Sequence, residues 1–139
     1  MSNSASRKIT SVMNLLLIDD DSGFHILMGK MLDRFGKENA LTVNITNFSD
    51  PVQGLFQLSE KDQHFDIVIL DLRMPKLGGD DIYAFLMRKK PHLLENVLFV
   101  TGYRDDLEER FPDQKFNVLD KPFRYEQFAS ALRGITGLR

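Results

Sequence analysis

Short apolar runs, each followed at once by polar residues, constrain the fold of this chain more than any other feature. The runs occupy residues 15–18, 67–70, 98–100 and 118–119. An apolar run this short is typical of a strand that is buried on both faces of a parallel sheet. In an open parallel sheet the carboxyl ends of the strands share one edge, and ligands bind in the crevice beside it. The pattern therefore predicts that the residues after the runs meet at one site.

The residues that follow the runs carry chemically useful groups. They are Asp19, Asp20 and Asp21 after the first run, Asp71 after the second, Thr101 and Gly102 after the third, and Asp120 and Lys121 after the fourth. Taken separately they indicate little, because an acidic run is usually a solvated turn or a helix cap and a single lysine is usually a surface residue. Their joint placement at strand ends predicts a site with carboxylates, a hydroxyl group and an ammonium group.

Amphipathic segments separate the strands. Residues 22–35 place apolar side chains at the i, i+3, i+4, i+7 spacing of a helix, and Gly36 predicts its end. Asp50 followed by Pro51 predicts the start of another helix. The remaining predicted elements are strands at 41–48, 65–70, 97–100 and 116–119 and helices at 80–89, 105–110 and 125–132. Five strand–helix units in succession predict an α/β fold, a doubly wound five-stranded parallel sheet with helices on both faces.

Length and composition limit the class of protein. The 139 residues are expected to form one domain at 14–139, preceded by a flexible polar tail at 1–13. Hydrophobic residues make up 42% of the chain, which is too many for a disordered protein. The net charge of −2 gives no electrostatic footprint for nucleic acid, and the lack of cysteine excludes disulfides and thiolate chemistry. With no signal-peptide or membrane-spanning pattern, we expect a cytoplasmic protein that binds neither nucleic acid directly nor a membrane.

Four motifs together resemble a known family. They are Asp19-Asp20, Asp71-x-x-Met74-Pro75, Thr101-Gly102 and Lys121-Pro122-Phe123. Each motif alone is weak, but all four in this order resemble the receiver domain of two-component response regulators, over residue 14 to the C-terminus. The resemblance implies a stand-alone receiver similar to the chemotaxis regulators, with a flavodoxin-like sheet in the order 2-1-3-4-5.

The resemblance implies that Asp71 is phosphorylated. A carboxylate can attack phosphorus and form an aspartyl phosphate, but it repels the incoming anionic group. Carboxylates are hard oxygen ligands suited to Mg²⁺, which offsets that repulsion. By resemblance Asp20 and Asp71 are direct ligands, Asp19 acts partly through water, and the backbone carbonyl of Arg73 is a further ligand.

The same resemblance gives roles to the remaining motif residues. Lys121 lies close to a phosphoryl oxygen and the Thr101 hydroxyl donates to another, so that Asp71, Thr101 and Lys121 are the catalytic group. Gly102 keeps the approach open and offers its N–H. The Lys121–Pro122 peptide bond is expected to be cis.

Three positions depart from the family pattern or stand out beside it. Val118 lies three residues before Lys121, where the family usually has an aromatic switch residue. We therefore expect the backbone of residues 102–110, rather than an aromatic ring, to carry any switch away from Thr101. Arg73 and Tyr103 are large and flank the site, where they are expected to shield the phosphoryl group.

The predicted function is that of a phosphoacceptor signalling domain, not a turnover enzyme, although it assists its own phosphorylation and slow dephosphorylation. A sensor histidine kinase or a histidine phosphotransfer protein donates the phosphoryl group, and a downstream protein or a second copy binds the face formed by residues 104–138. The alternatives are a phosphate sink, a phosphorelay intermediate and an unphosphorylated pseudo-receiver that serves as an interaction module. A related phosphohydrolase is disfavoured because Asp71-Leu72-Arg73 lacks its second carboxylate. His25, His64 and His92 lack metal-ligand spacing and are interpreted as surface or half-buried residues.

Overall fold

Five parallel strands form one sheet in a computed structural model that describes residues 11–138. The strands are β1 (Ser11–Ile18), β2 (Leu41–Phe48), β3 (Ile67–Leu70), β4 (Val97–Thr101) and β5 (Asn117–Asp120). Their order is β2-β1-β3-β4-β5, and every neighbouring pair is parallel. The predicted fold class and strand order are confirmed.

Helices cover both faces of the sheet. They are α1 (Ser22–Glu38), α2 (Pro51–Ser59), α3 (Gly79–Lys89), α4 (Arg104–Arg110) and α5 (Tyr125–Thr136), with a short 3-10 helix at Pro91–Asn96. Alternate residues of β1 enter two separate cores, because successive side chains on a strand point to opposite faces. Leu15 and Leu17 pack in the core that contains α1 and α5 residues, whereas Leu16 and Ile18 pack in the core that contains residues of α2, α3 and α4.

The strand β1 is longer than the sequence predicted. It begins at Ser11, and residues 11–13 pair with the first three residues of β2. The tail predicted at 1–13 is therefore wrong for residues 11–13, which the sequence pattern missed because they are not continuously apolar. The prediction for residues 1–10 lies outside the described residues.

Gly36 does not end the first helix. The helix α1 continues to Glu38, and the backbone N–H and the side chain of Asn39 both hydrogen-bond to the Phe35 carbonyl at its end. A Cβ at position 36 would lie only 2.8 Å from the carbonyl oxygen of Leu41. This glycine therefore permits a close approach between α1 and β2. The sequence analysis also missed the 3-10 helix before β4. The other helices lie where they were predicted and differ only at their ends.

None of the helices within residues 11–138 has the length and apolar composition that crossing a bilayer requires.

Two glycines of α1 should respond in opposite ways to alanine. A Cβ at Gly29 would meet nothing within 4 Å, so Gly29→Ala should raise the free energy of unfolding by about 0.5–1 kcal/mol through helix propensity. Gly36→Ala should lower it by about 1–3 kcal/mol, because the added methyl group overlaps the Leu41 carbonyl. Urea unfolding of the two variants measures both effects, and a change of the same sign in both would contradict the packing described for α1.

Candidate functional site

The predicted site residues meet at the carboxyl edge of the sheet. Asp19 follows β1, Asp71 follows β3, Thr101 is the last residue of β4, and Lys121 follows β5. Four different strands therefore position these side chains, and each strand is paired with its neighbours in the sheet. Such a site has a rigid base, because moving one member would require the sheet itself to move.

Three carboxylates form a cluster at this edge. One oxygen from each of Asp19, Asp20 and Asp71 lies within 4.8 Å of the others. Asp19 is only 1% exposed, Asp71 is half-buried and Asp20 is exposed. Within residues 11–138, no hydrogen bond or ion pair involves the Asp20 carboxylate, which is therefore available to a ligand.

Lys121 is the cation that faces the cluster. Its Nζ lies 3.1 Å from Oδ2 of Asp19 and 3.5 Å from Oδ2 of Asp71. The same Nζ lies 4.2 Å from the centroid of the Phe24 ring, where a cation is attracted to the aromatic face. The Lys121–Pro122 peptide bond is cis, as the resemblance implied. Among residues 11–138, one ammonium group thus pairs with two of the three carboxylates, which leaves an excess of negative charge.

The electrostatics of Asp19 show how crowded the cluster is. Burial raises the pKa of Asp19, and the neighbouring Asp71 carboxylate raises it further. The N–H of Asp21, 2.9 Å from Oδ1, and the Lys121 ammonium act in the opposite direction without cancelling the effect of burial. A cation bound among the carboxylates would favour their charged forms.

Asp21 has a structural role beside the cluster. Its Oδ1 accepts hydrogen bonds from the N–H groups of Gly23 at 2.9 Å and Phe24 at 3.3 Å, which caps the start of α1. The third aspartate of the run therefore anchors the loop that carries Asp19 and Asp20.

Thr101 and Gly102 occupy the far side of the site. Thr101 is fully buried, and its Oγ1 accepts a hydrogen bond from the N–H of Tyr103 at 3.1 Å. Its hydroxyl proton has no acceptor within residues 11–138, so it remains available to a ligand. A Cβ at Gly102 would meet nothing within 4 Å, so packing among the described residues does not require glycine there.

A family model for the response regulator receiver domain matches residues 15–133. The chain belongs to this family. The matched segment contains every strand end that forms the site. The predicted family is therefore confirmed: this is a receiver domain of two-component signalling.

Curated relatives of this receiver domain are longer proteins. An uncharacterized response regulatory protein of Vibrio cholerae serotype O1 is 27% identical over 122 residues, which are 88% of this chain and 48% of the relative. The positive alginate biosynthesis regulatory protein of Pseudomonas aeruginosa is 27% identical over 121 residues, which are 87% and 46% of the two chains. The chain thus spans about half the length of the curated relatives it matches.

Solved structures share the fold. A response regulator receiver domain protein from Clostridium thermocellum has a TM-score of 0.74 and 26% identity, covering 90% of this chain and 94% of that one. The receiver domain of the sensor histidine kinase PA1611 from Pseudomonas aeruginosa PAO1, crystallised with a magnesium ion coordinated in its active site cleft, has a TM-score of 0.73 and 19% identity. That match covers 91% of this chain and 99% of that one, and it shows likeness of fold alone.

Arg73 and Tyr103 lie together in a groove beside Lys121. The Cζ atom of Arg73 is 3.7 Å from the centroid of the Tyr103 ring, and its Nε is 3.0 Å from Oδ2 of Asp106. An open groove of about 470 Å³ is lined by these residues and by Lys121. Both side chains are substantially exposed, so they can contact a group that enters the groove. The structure places the two predicted shielding residues side by side.

Ion pairs connect α4 to its surroundings. Besides Arg73–Asp106, Arg104 binds Asp120 at 3.0 Å, and Arg110 binds Asp80 at 2.8 Å and Asp81 at 2.7 Å. Leu107 is the buried side chain of this helix. The half-buried Val118 has no aromatic ring that could change its rotamer. Its backbone carbonyl accepts a hydrogen bond from Nη2 of Arg104 at 3.4 Å. Sequence reasoning missed this ionic anchoring of α4.

Sequence reasoning also missed the part played by two glycines. They are Gly78 and Gly79, at the start of α3. A Cβ at Gly79 would overlap the carbonyl oxygen of Asp71, and a Cβ at Gly78 would lie 2.6 Å from the carbonyl oxygen of Leu72. These glycines therefore let the start of α3 pack directly against the backbone of Asp71. The adjacent pair of glycines shortly after a strand-end aspartate was the available signal.

Removal of the buried Asp19 charge should stabilise the metal-free protein. We expect Asp19→Asn to raise its free energy of unfolding at neutral pH by about 1 kcal/mol, because the amide keeps an oxygen for the Asp21 N–H while the excess charge falls. Since the pKa of Asp19 is raised by burial, the native state holds this proton more tightly than the unfolded state does. The stability of the wild type relative to Asp19→Asn should therefore decrease as pH rises through the native pKa of Asp19.

Chemical unfolding at a series of pH values measures this difference. Asp113→Asn, which alters an exposed carboxylate, is the matched control and should show no such trend. Lower stability of Asp19→Asn than of the wild type at neutral pH would contradict the expectation.

Proposed function

We propose that this receiver domain accepts a phosphoryl group on Asp71 from the phosphohistidine of a sensor histidine kinase or a histidine phosphotransfer protein. The observation that carries the proposal is the position of Asp71, which shares a cluster with Asp19 and Asp20 and faces the Lys121 ammonium. An oxygen nucleophile beside a fixed cation and two further carboxylates matches what phosphoryl transfer to an acidic side chain requires.

The carboxylate of Asp71 is held in a defined orientation. Its Oδ1 accepts a hydrogen bond from the N–H of Leu72 at 2.7 Å, and its Oδ2 lies 3.5 Å from Nζ of Lys121. In the proposed step an Asp71 oxygen forms a bond to phosphorus, the bond from phosphorus to the donor imidazole nitrogen breaks, and the imidazole leaves with that electron pair. Lys121 and the Thr101 hydroxyl are proposed to bind phosphoryl oxygens, and the Gly102 N–H adds a further donor.

Magnesium is the proposed cofactor. The carboxylates of Asp20 and Asp71 would bind the ion directly, Asp19 partly through water, and the backbone carbonyl of Arg73 would complete the protein ligands. Hard oxygen donors and an excess of negative charge suit this ion. When bound, the ion offsets the repulsion between the carboxylates and the phosphoryl group. Because the carboxylates and the phosphoryl group are all negatively charged, we expect Mg²⁺ to bind before the phosphoryl donor or together with it.

Replacement of Asp71 tests the nucleophile. Asp71→Asn should not form a hydroxylamine-labile phosphoryl adduct from acetyl phosphate and Mg²⁺, because the amide is not a comparable nucleophile. The wild type should form it only with Mg²⁺ present. Intact-mass measurement before and after hydroxylamine treatment reports the adduct, and Asp113→Asn serves as the control. Labelling of Asp71→Asn at the wild-type level would refute the assignment, and failure of the wild type to be labelled would favour the pseudo-receiver alternative.

Arg73 and Tyr103 are proposed to shield the acyl phosphate. Hydrolysis needs water in line with the phosphorus, opposite the Asp71 oxygen, and these stacked side chains occupy the mouth of the groove. We expect the double variant Arg73→Ala/Tyr103→Ala to lose phosphate about 3- to 10-fold faster, equivalent to roughly 1 kcal/mol in the barrier. Decay of the labelled adduct after removal of the donor gives the rate.

A matched variant separates shielding from loss of the ion pair. Asp106→Asn removes the carboxylate partner of Arg73 but leaves both shielding side chains in place. Its dephosphorylation rate should stay near that of the wild type. An unchanged or slower rate in the double variant would exclude shielding by these residues.

The proposed output face comprises residues 104–138. Its first element, α4, has one buried apolar side chain and is otherwise held by ion pairs. A phosphoryl group on Asp71 brings negative charge that competes with Asp106 for the exposed Arg73 guanidinium. Movement of Thr101 toward that group would pull on the same segment. Both effects support a switch carried by the backbone of residues 102–110, to which a downstream protein or a second copy responds.

Beryllofluoride with Mg²⁺ tests where the signal goes. We expect the largest changes in amide exchange within residues 101–111, because weakly anchored segments open at low free-energy cost. Hydrogen–deuterium exchange with and without beryllofluoride measures them, and sedimentation reports self-association. A perturbation confined to the loops that carry Asp19 and Asp71 would favour a phosphate sink or a phosphorelay role instead.

A further inference from the structure

We propose that His25 is a positioning residue that sets the direction of Asp20 toward the cation. The inference rests on the proposed function, since it concerns how the receiver site presents a carboxylate to Mg²⁺. It gives a role to a side chain that its sequence spacing alone did not distinguish from an ordinary half-buried histidine.

His25 connects three elements of the fold. It lies in the first turn of α1, and its Nε2 is 2.6 Å from the backbone carbonyl oxygen of Asp19 at the end of β1. Its Nδ1 is 2.8 Å from the side-chain oxygen position of Asn47, which lies near the end of β2. The ring thus joins the helix to the carboxyl ends of two strands.

The hydrogen bonds determine which ring nitrogen carries the proton. A backbone carbonyl only accepts, so Nε2 must donate to Asp19. In the neutral ring Nδ1 is then a hydrogen-bond acceptor. The Asn47 amide can donate to it, because rotating the amide by half a turn exchanges the positions of its NH₂ group and its oxygen. The Asp19 carbonyl therefore fixes the tautomer, and the Asn47 amide satisfies the other ring nitrogen.

The carbonyl that His25 holds belongs to the peptide group between Asp19 and Asp20. Fixing that oxygen fixes the plane of the peptide, and with it the position of the Asp20 Cα. The preceding peptide is held separately, by the hydrogen bond from the Asp19 N–H to the Phe48 carbonyl at 3.2 Å. The Asp20 carboxylate itself has no partner within residues 11–138, so the space it can reach is set by the position of its Cα and by rotation of its own side chain. His25 is the side chain that restrains that backbone from the α1 side.

Two substitutions separate the two ends of the imidazole. The terminal amide of glutamine reaches the position of Nε2, so His25→Gln can still donate to the Asp19 carbonyl. Asparagine reaches only the position of Nδ1, so His25→Asn can contact Asn47 but not Asp19. Both variants remove the ring and keep a polar amide, and His92→Gln is a control at an exposed histidine.

Calorimetric titration with Mg²⁺ alone measures the effect on the cation site. We expect His25→Asn to weaken Mg²⁺ binding about tenfold, the scale typical for loss of a group that orients a metal ligand. His25→Gln should recover most of the affinity, and His92→Gln should match the wild type. With acetyl phosphate as the donor, His25→Asn should be phosphorylated more slowly than the wild type at low Mg²⁺. Its rate should approach the wild-type rate at saturating Mg²⁺. Thermal unfolding without metal identifies any variant that is not folded.

The outcomes distinguish this inference from the proposed function. If the wild type binds Mg²⁺ and is phosphorylated but His25→Asn, folded, binds Mg²⁺ equally well, the positioning role is wrong and the proposed function stands. If His25→Asn does not fold, His25→Gln decides the outcome. A roughly tenfold loss of Mg²⁺ affinity in folded His25→Gln would overturn the inference, and an affinity near that of the wild type would support it. If the wild type binds no Mg²⁺, both the inference and the proposed function are overturned.

Discussion

The fold brings like charges together and holds them there. Three carboxylates share one edge of the sheet, and in the described part of the chain the Lys121 ammonium group pairs with two of them, Asp19 and Asp71. Burial of Asp19 makes this arrangement costly, as its raised pKa indicates. The carboxylates stay close because the buried residues 15–18 of β1 and 67–70 of β3 lead directly into Asp19 and Asp71. The two apolar cores therefore stabilise a site whose carboxylates repel one another, and a bound cation would compensate the excess negative charge.

The structural supports of the site differ from its chemical groups. Asp21 caps α1, and Gly79 lets α3 approach the Asp71 backbone. Both residues support the geometry of the site without contacting a ligand. His25 restrains the peptide between two of the carboxylates. Around a base of rigid strand ends, these contacts determine loop geometry on the scale of single peptide groups. The site is thus organised in two layers, with strands giving location and short polar contacts giving direction.

Most of the fold and the strand-end residues could be predicted from sequence because their signal is local. A short apolar run followed by Asp71 or Thr101 is visible in a few consecutive residues, and burial of the whole run enforces the outcome. Gly36 misled the prediction because a glycine can end a helix or permit close packing, and only the neighbouring strand decides which. The pair Arg73–Asp106 joins residues 33 positions apart, and nothing in either neighbourhood specifies its partner. The contacts of His25 were hidden for the same reason.

The ionic attachment of α4 makes its mobility depend on the solution around it. Each of its ion pairs is partly exposed, and exposed pairs contribute only about 0–1 kcal/mol each. Dissolved salt screens such pairs over a Debye length of roughly 8–10 Å near physiological ionic strength. The apolar cores that hold the other helices do not weaken in this way. Ionic strength can therefore loosen α4 while the carboxylate cluster stays intact, so that the proposed switch would respond to the salt concentration as well as to the phosphoryl group.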